Sequence, residues 1–238
     1  MKRTYSNTLP KTPKKSRKKR ASPYKRVTRR LPANIQGTLI PDRTYVTLKY
    51  NEDVAISVPP GGIMANYLFR CNSIFDPNYT GTGHQPLGHD QYANFYKKYV
   101  VMGATITATF KAFDNSELTN PDGSNYTVGV TTIQAPAGTI VAPTDFMENN
   151  RTTYSNVCAQ APYTMVSKKF ISSEFFGLDK ILDNEKYGAD FGANPEQEAF
   201  WQLGIFQPSA PTTSGRMYVN VAIKYTLALR ERVNVGGS

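Results

Sequence analysis

A chain of 238 residues has room for one β domain of ordinary size plus a tail, whereas two full domains would be cramped. The formal net charge of +10, with a sequence pI near 9.5, exceeds what solubility asks of a small protein and points to a polyanion. Two distant cysteines, Cys71 and Cys158, with no CxxC pair, exclude a disulfide scaffold and predict free buried thiols.

The first element in chain order is defined by its charge. Residues 1–30 contain thirteen Lys or Arg and no acid, the first acid being Asp42. Residues 31–238 then hold 15 bases against all 18 acids, a balance of −3, so the excess positive charge resides in the tail. Residues 1–41 are poor in apolar side chains, and their like charges repel, which predicts a disordered basic arm. Pro10, Pro13, Pro23 and Pro32 break any long helix there. The start lacks the apolar core of a signal peptide, so the Asn-x-Thr sequons at Asn78, Asn125 and Asn150 are expected to be unused and the compartment to be cytosol or nucleus.

Residues 42–238 read as β throughout. Arg43–Tyr50 alternates, with Val46, Leu48 and Tyr50 on one face; a Pro59-Pro60-Gly61-Gly62 turn follows. Met64–Arg70 and the long, β-branched and aromatic Tyr99–Phe113 come next; the longest apolar stretch, around Tyr99–Phe110, is too short to span a bilayer and carries several Thr. Tyr126–Gln134, Thr164–Ile171, Phe200–Gln207 and Met217–Leu229 continue the series, and the last has nearly perfect period two after residue 220. Short helices are predicted at Gln91–Tyr96, at Thr144–Asn149 after Pro143, and over Leu178–Tyr187 closed by Gly188. Long strands, sizeable loops and no strand-helix alternation predict an all-β fold: a single eight-stranded antiparallel jelly roll carrying the arm.

The residues give no support to an enzyme. The phosphate-loop, dinucleotide, HExxH and GxSxG patterns are absent. His84 and His89, near Asp76 and Asp90, sit in a loop whose Pro and Gly give no fixed ligand geometry, so loop packing is expected rather than a metal or a catalytic base. Glu196 and Glu198 are expected at solvated loop positions, and the many aromatics in the core or at subunit interfaces. No catalytic residue, metal site or cofactor is assigned.

The candidate nucleic-acid-binding residues are Lys2, Arg3, Lys11, Lys14, Lys15, Arg17, Lys18, Lys19, Arg20, Lys25, Arg26, Arg29 and Arg30. Each phosphate contact releases condensed counterions, which makes binding strong at low salt and insensitive to base sequence. The densest run, Lys14, Lys15, Arg17, Lys18, Lys19 and Arg20, also suits a nuclear import signal. Fully extended, the 41 residues of the arm reach about 130 Å.

One block carries a family likeness. Phe69-Arg70-Cys71-Asn72-Ser73-Ile74-Phe75-Asp76-Pro77, then Thr80-Gly81-Thr82-Gly83-His84-Gln85-Pro86 and Asp90-Gln91, resembles a segment of the capsid proteins of circovirus-like, Rep-encoding, circular single-stranded DNA viruses. Ser167-Lys168-Lys169, Asn194-Pro195 and Ala199-Phe200-Trp201-Gln202 are similar to that family as well. The resemblance implies an icosahedral T=1-type shell of identical subunits, a single-stranded DNA genome, assembly in the host nucleus, contacts with an import receptor and a cell-surface receptor, and residence in the virion without membrane insertion. The arm is richer in Lys than the family's Arg-dominated pattern, which leaves DNA or RNA open and keeps the coat protein of a small RNA satellite virus as an alternative. A cellular nucleic-acid-binding protein of ribosomal or chromatin type is a further reading, and a lectin or cupin-like jelly roll a third.

Overall fold

The computed structural model describes residues 40–112, 125–158, 161–210, 212 and 214–233. The strands are β1 (Arg43–Val58), β2 (Ala65–Arg70), β3 (Tyr96–Ala112), β4 (Tyr126–Ile133), β5 (Thr153–Val157), β6 (Tyr163–Ile171), β7 (Gly188–Asp190), β8 (Phe200–Phe206) and β9 (Gly215–Arg232). Among the described residues, three single-turn helices punctuate them: α1 (His89–Ala93), α2 (Pro143–Glu148) and α3 (Ser172–Phe176).

All pairings are antiparallel and fall into two sheets, one in the order β1-β9-β3-β6 and the other β2-β8-β4-β5. Each sheet interleaves early and late strands, which is the jelly-roll pattern in which a folded-over ribbon brings the two ends of the chain together. β7 is a ninth, three-residue strand. It pairs with β3 over Lys98–Val100, end to end with β6, which takes over at Gly103 after a bulge in β3 between Val101 and Gly103.

The core lies between the sheets. β9 supplies Met217, Val219, Val221, Ile223, Tyr225, Leu227 and Leu229, as its period-two pattern predicts. Facing them are Phe69, Val128, Val130, Trp201, Leu203 and Ile205 from the second sheet. Full burial of each such large side chain contributes about 1.5–3 kcal/mol.

Several sequence expectations are corrected. β1 runs on to Val58, eight residues past Tyr50. The stretch Asn51-Glu52-Asp53 hides the continuation because Glu52 points inward, where its carboxylate accepts from both Tyr50 Oη and Asn78 Nδ2. β5 and β7 carry too few apolar residues to stand out. Leu178–Tyr187 is two 3-10 turns, Ile181–Asp183 and Glu185–Tyr187, because the Asn184 side chain accepts from Lys186 N at 3.1 Å and competes with helix continuation. Gly188 closes the second turn as expected, its N–H donating to Glu185 O, and the same residue opens β7. The helix expected at Gln91–Tyr96 starts earlier, at His89, and ends at Ala93, since Tyr96 already belongs to β3. Cys71 is free and buried, whereas Cys158 is free and half-buried. Among the described residues no helix is long and apolar enough to cross a membrane.

Candidate nucleic-acid interface and shell surfaces

The thirteen arm bases, Lys2 through Arg30, lie outside the described residues. The chain becomes describable at Ile40, and the Pro41 carbonyl accepts from Tyr96 Oη at 2.9 Å just before β1 begins.

The two sheets present unlike outer faces. On the β1-β9-β3-β6 sheet alternation leaves, among the described residues, an exposed face of polar side chains with Tyr45, Tyr163, Met165 and Tyr218 among them. Lys49 of β1 stands opposite Lys224 of β9; Lys224 stands opposite Thr105 of β3, and Thr105 opposite Lys169 of β6. All three lysines are exposed and, among the described residues, none is ion-paired. A parallel row two residues along holds Thr107 and Ser167, bonded at 3.1 Å. Farther on, Ala55, Tyr218, Lys111 and Tyr163 form another row, with both tyrosines exposed.

On the β2-β8-β4-β5 sheet the outer face is covered by the chain's own β4–β5 connection. α2 lays Phe146 over Gly129 and Gly204, which are register partners on β4 and β8. A Cβ at either glycine would lie 2.8 Å from the Phe146 ring, so the seat exists only because both residues lack one. Gln202, fully buried, fixes the same connection: its Oε1 accepts from Ile140 N at 3.0 Å and its Nε2 donates to Ile140 O at 2.6 Å and to Asn66 Oδ1 at 2.5 Å. Every residue of β4 and β8 is thereby buried.

The block at 69–91 is a polar brace. Arg70, buried at the end of β2, donates Nε to Glu198 at 2.5 Å and Nη1 to Asp76 Oδ2 at 2.8 Å and to the Asp76 carbonyl at 2.9 Å. Its guanidinium also lies over the Tyr79 and Phe200 rings. Glu198 is therefore an ion-pair partner of a buried arginine, not the solvated loop carboxylate its sequence position suggests. Asn72 bonds Gln197 O and Ala199 N, while Ser73 reaches Tyr99 Oη at 3.1 Å and Asn194 Oδ1 at 2.6 Å. Asn78, the first sequon, is fully buried with its amide donating to Glu52 and to Tyr67 Oη. These contacts join the loop to β1, β3 and the 193–199 segment, so its residues build the fold.

His84 stacks on Tyr50 with ring centroids 4.7 Å apart, and His89 is buried with Nε2 on Phe191 O and Nδ1 on Asp90, each at 2.9 Å. Among the described residues no group of three His, Cys, Asp or Glu is placed to hold a metal ion. Burial raises the Cys71 thiol and Tyr225 hydroxyl well above their usual range and pushes Tyr99 up to about 12. A surface hollow of about 680 Å³ is broad and open between Thr132–Ile140, Asn149–Arg151 and Glu196–Phe200, and it gathers no convergent acid-base pair.

No family model matches this chain, and no curated protein matches it. Solved structures similar to it include the empty head of turnip yellow mosaic virus, at 14% identity and TM-score 0.39 over 100% of this chain and 94% of that one. The 60-mer BFDV capsid protein matches at 11% identity and TM-score 0.43, over 84% of this chain and 100% of that one. The nora virus structure matches at 8% identity and TM-score 0.46, over 84% of this chain and 66% of that one.

Proposed function

We propose that this chain is the coat-protein subunit of a small icosahedral virus, which assembles with copies of itself into a closed T=1-type shell and holds a single-stranded DNA genome through residues 1–41. The observation that carries the reading is charge division: thirteen bases and no acid in residues 1–30, attached to a jelly-roll domain with a balance of −3. A cationic leash neutralises phosphates without reading bases, and a rigid sandwich supplies edges and loops for contacts between copies. Exposed apolar side chains at loop tips, Ile63, Leu87 and Val141, suit burial between neighbouring subunits. Lys14, Lys15, Arg17, Lys18, Lys19 and Arg20 serve in addition as the import signal that brings the subunit to the host nucleus.

Electron microscopy of the purified full-length chain tests the proposal. Uniform closed particles are expected. A monomer by size-exclusion chromatography that still binds nucleic acid contradicts it and favours a cellular nucleic-acid-binding protein.

A further inference from the structure

We infer that the outer face of the β1-β9-β3-β6 sheet is a second nucleic-acid contact surface, on which a single-stranded segment crosses the strands along Lys49, Lys224 and Lys169. This rests on the reading of the arm given above and extends it to the folded domain. Like charges directly opposite each other on paired strands destabilise a sheet, and Lys49 faces Lys224 with no acid beside either among the described residues. Folding gains nothing from that pair, whereas a polyanion laid across it removes the repulsion.

The row has the dimensions and chemistry of a phosphate track. Lys49 to Lys169 spans three inter-strand steps, roughly 14 Å at the usual strand spacing. Between Lys224 and Lys169 lies a shallow groove of about 300 Å³ floored by Gly103 and Thr105 and edged by Thr226, so hydroxyl donors accompany the ammonium groups. The acid on this stretch of the face, Asp53, is engaged by Asn220 Nδ2 at 2.8 Å. Tyr163 and Tyr218 stand exposed farther along the face and offer rings for unstacked bases. β1 begins at Arg43, so Lys49, the first lysine of the row, follows the arm closely in sequence.

The test measures oligothymidylate binding by the full-length chain between about 50 and 200 mM salt. The face variant is Lys49→Gln with Lys169→Gln and Lys224→Gln. A control of equal charge carries Lys97→Gln, Lys180→Gln and Lys186→Gln, and an arm variant replaces the six bases of 14–20 with Gln. Three lost single-strand phosphate contacts lower the slope of log K against log salt by about 2, so the face variant loses about 20-fold less affinity over that range than the parent. The control keeps the parent slope. The face variant melts at or above the parent temperature, since repulsion has been removed. A face variant indistinguishable from the control overturns this inference, and if the arm variant still loses slope, the arm reading survives it. An arm variant with the parent slope breaks the proposed function itself. A face variant that keeps its oligonucleotide slope but loses heparin binding also overturns the inference, reassigning the lysines to a sulfated polysaccharide.

Discussion

The outer faces of the two sheets are built on opposite principles. On the β1-β9-β3-β6 sheet side chains alternate between core and exterior over most of β1 and β9, and three lysines line up with no ion-pair partner among the described residues. On the other sheet β4 and β8 are buried on both sides, beneath a connection seated by two glycines and clamped by one glutamine. The first face is the one on which we place a polyanion, while the second is committed to the fold's own chain. Substitutions should therefore cost stability on the covered face and binding on the bare one.

The largest stability effects belong to the covered face and the brace. Phe146→Ala empties the seat over Gly129 and Gly204 and should cost about 3–5 kcal/mol in a denaturant titration. Arg70→Met strands Asp76 and Glu198 without their cation and should cost about 3–5 kcal/mol; a loss below ~1 kcal/mol would show the brace to be dispensable. Gln202→Leu leaves the Ile140 amide and carbonyl unpaired, which should cost about 1–3 kcal/mol for each group and loosen hydrogen-exchange protection in the 134–152 connection first. On the bare face, Lys224→Gln should move stability by less than about 0.5 kcal/mol.

Two chemical probes sharpen the same contrast between sealed and open positions. Cys71 is buried and its thiol raised, so iodoacetamide at mildly alkaline pH should label Cys158 and spare Cys71 until the domain unfolds. Tyr99 binds its proton more tightly in the folded domain than in the unfolded chain. Its contribution is fully present below pH 10, the ordinary tyrosine value, and is lost as pH rises toward about 12. Stability should fall across that window, and less steeply in Tyr99→Phe.

How much of this was legible in the residues follows from the same contrast. The first sheet was legible, because β9 alternates from Gly215 to Leu227 and one exposed face leaves a period-two signature. The covered sheet gave only continuous apolar runs, Tyr126–Ile133 and Phe200–Phe206, which mark burial but not what lies on top. The pairing of Gly129 with Gly204 depends on register between distant strands, so no local pattern reveals the seat of Phe146. The row of three lysines was illegible for the same reason: residues 49, 169 and 224 become neighbours only through β1-β9-β3-β6 order. Glu198 looked like a loop carboxylate because its partner, Arg70, is 128 residues away. Leu178, Ile181 and Leu182 imitate helical spacing, and the Asn184 side chain defeats it. The arm was legible at once, since its charge needs no folded context.

The central claim is that the arm captures nucleic acid while the jelly-roll domain builds the wall. Nucleic acid per particle, measured by ultraviolet absorbance on particles counted by electron microscopy, tests it for the full-length chain against a variant lacking residues 1–30. The account predicts closed particles from both, with the truncated ones largely empty. Truncated particles filled to the parent level, or a domain that forms no particles at all, would contradict it.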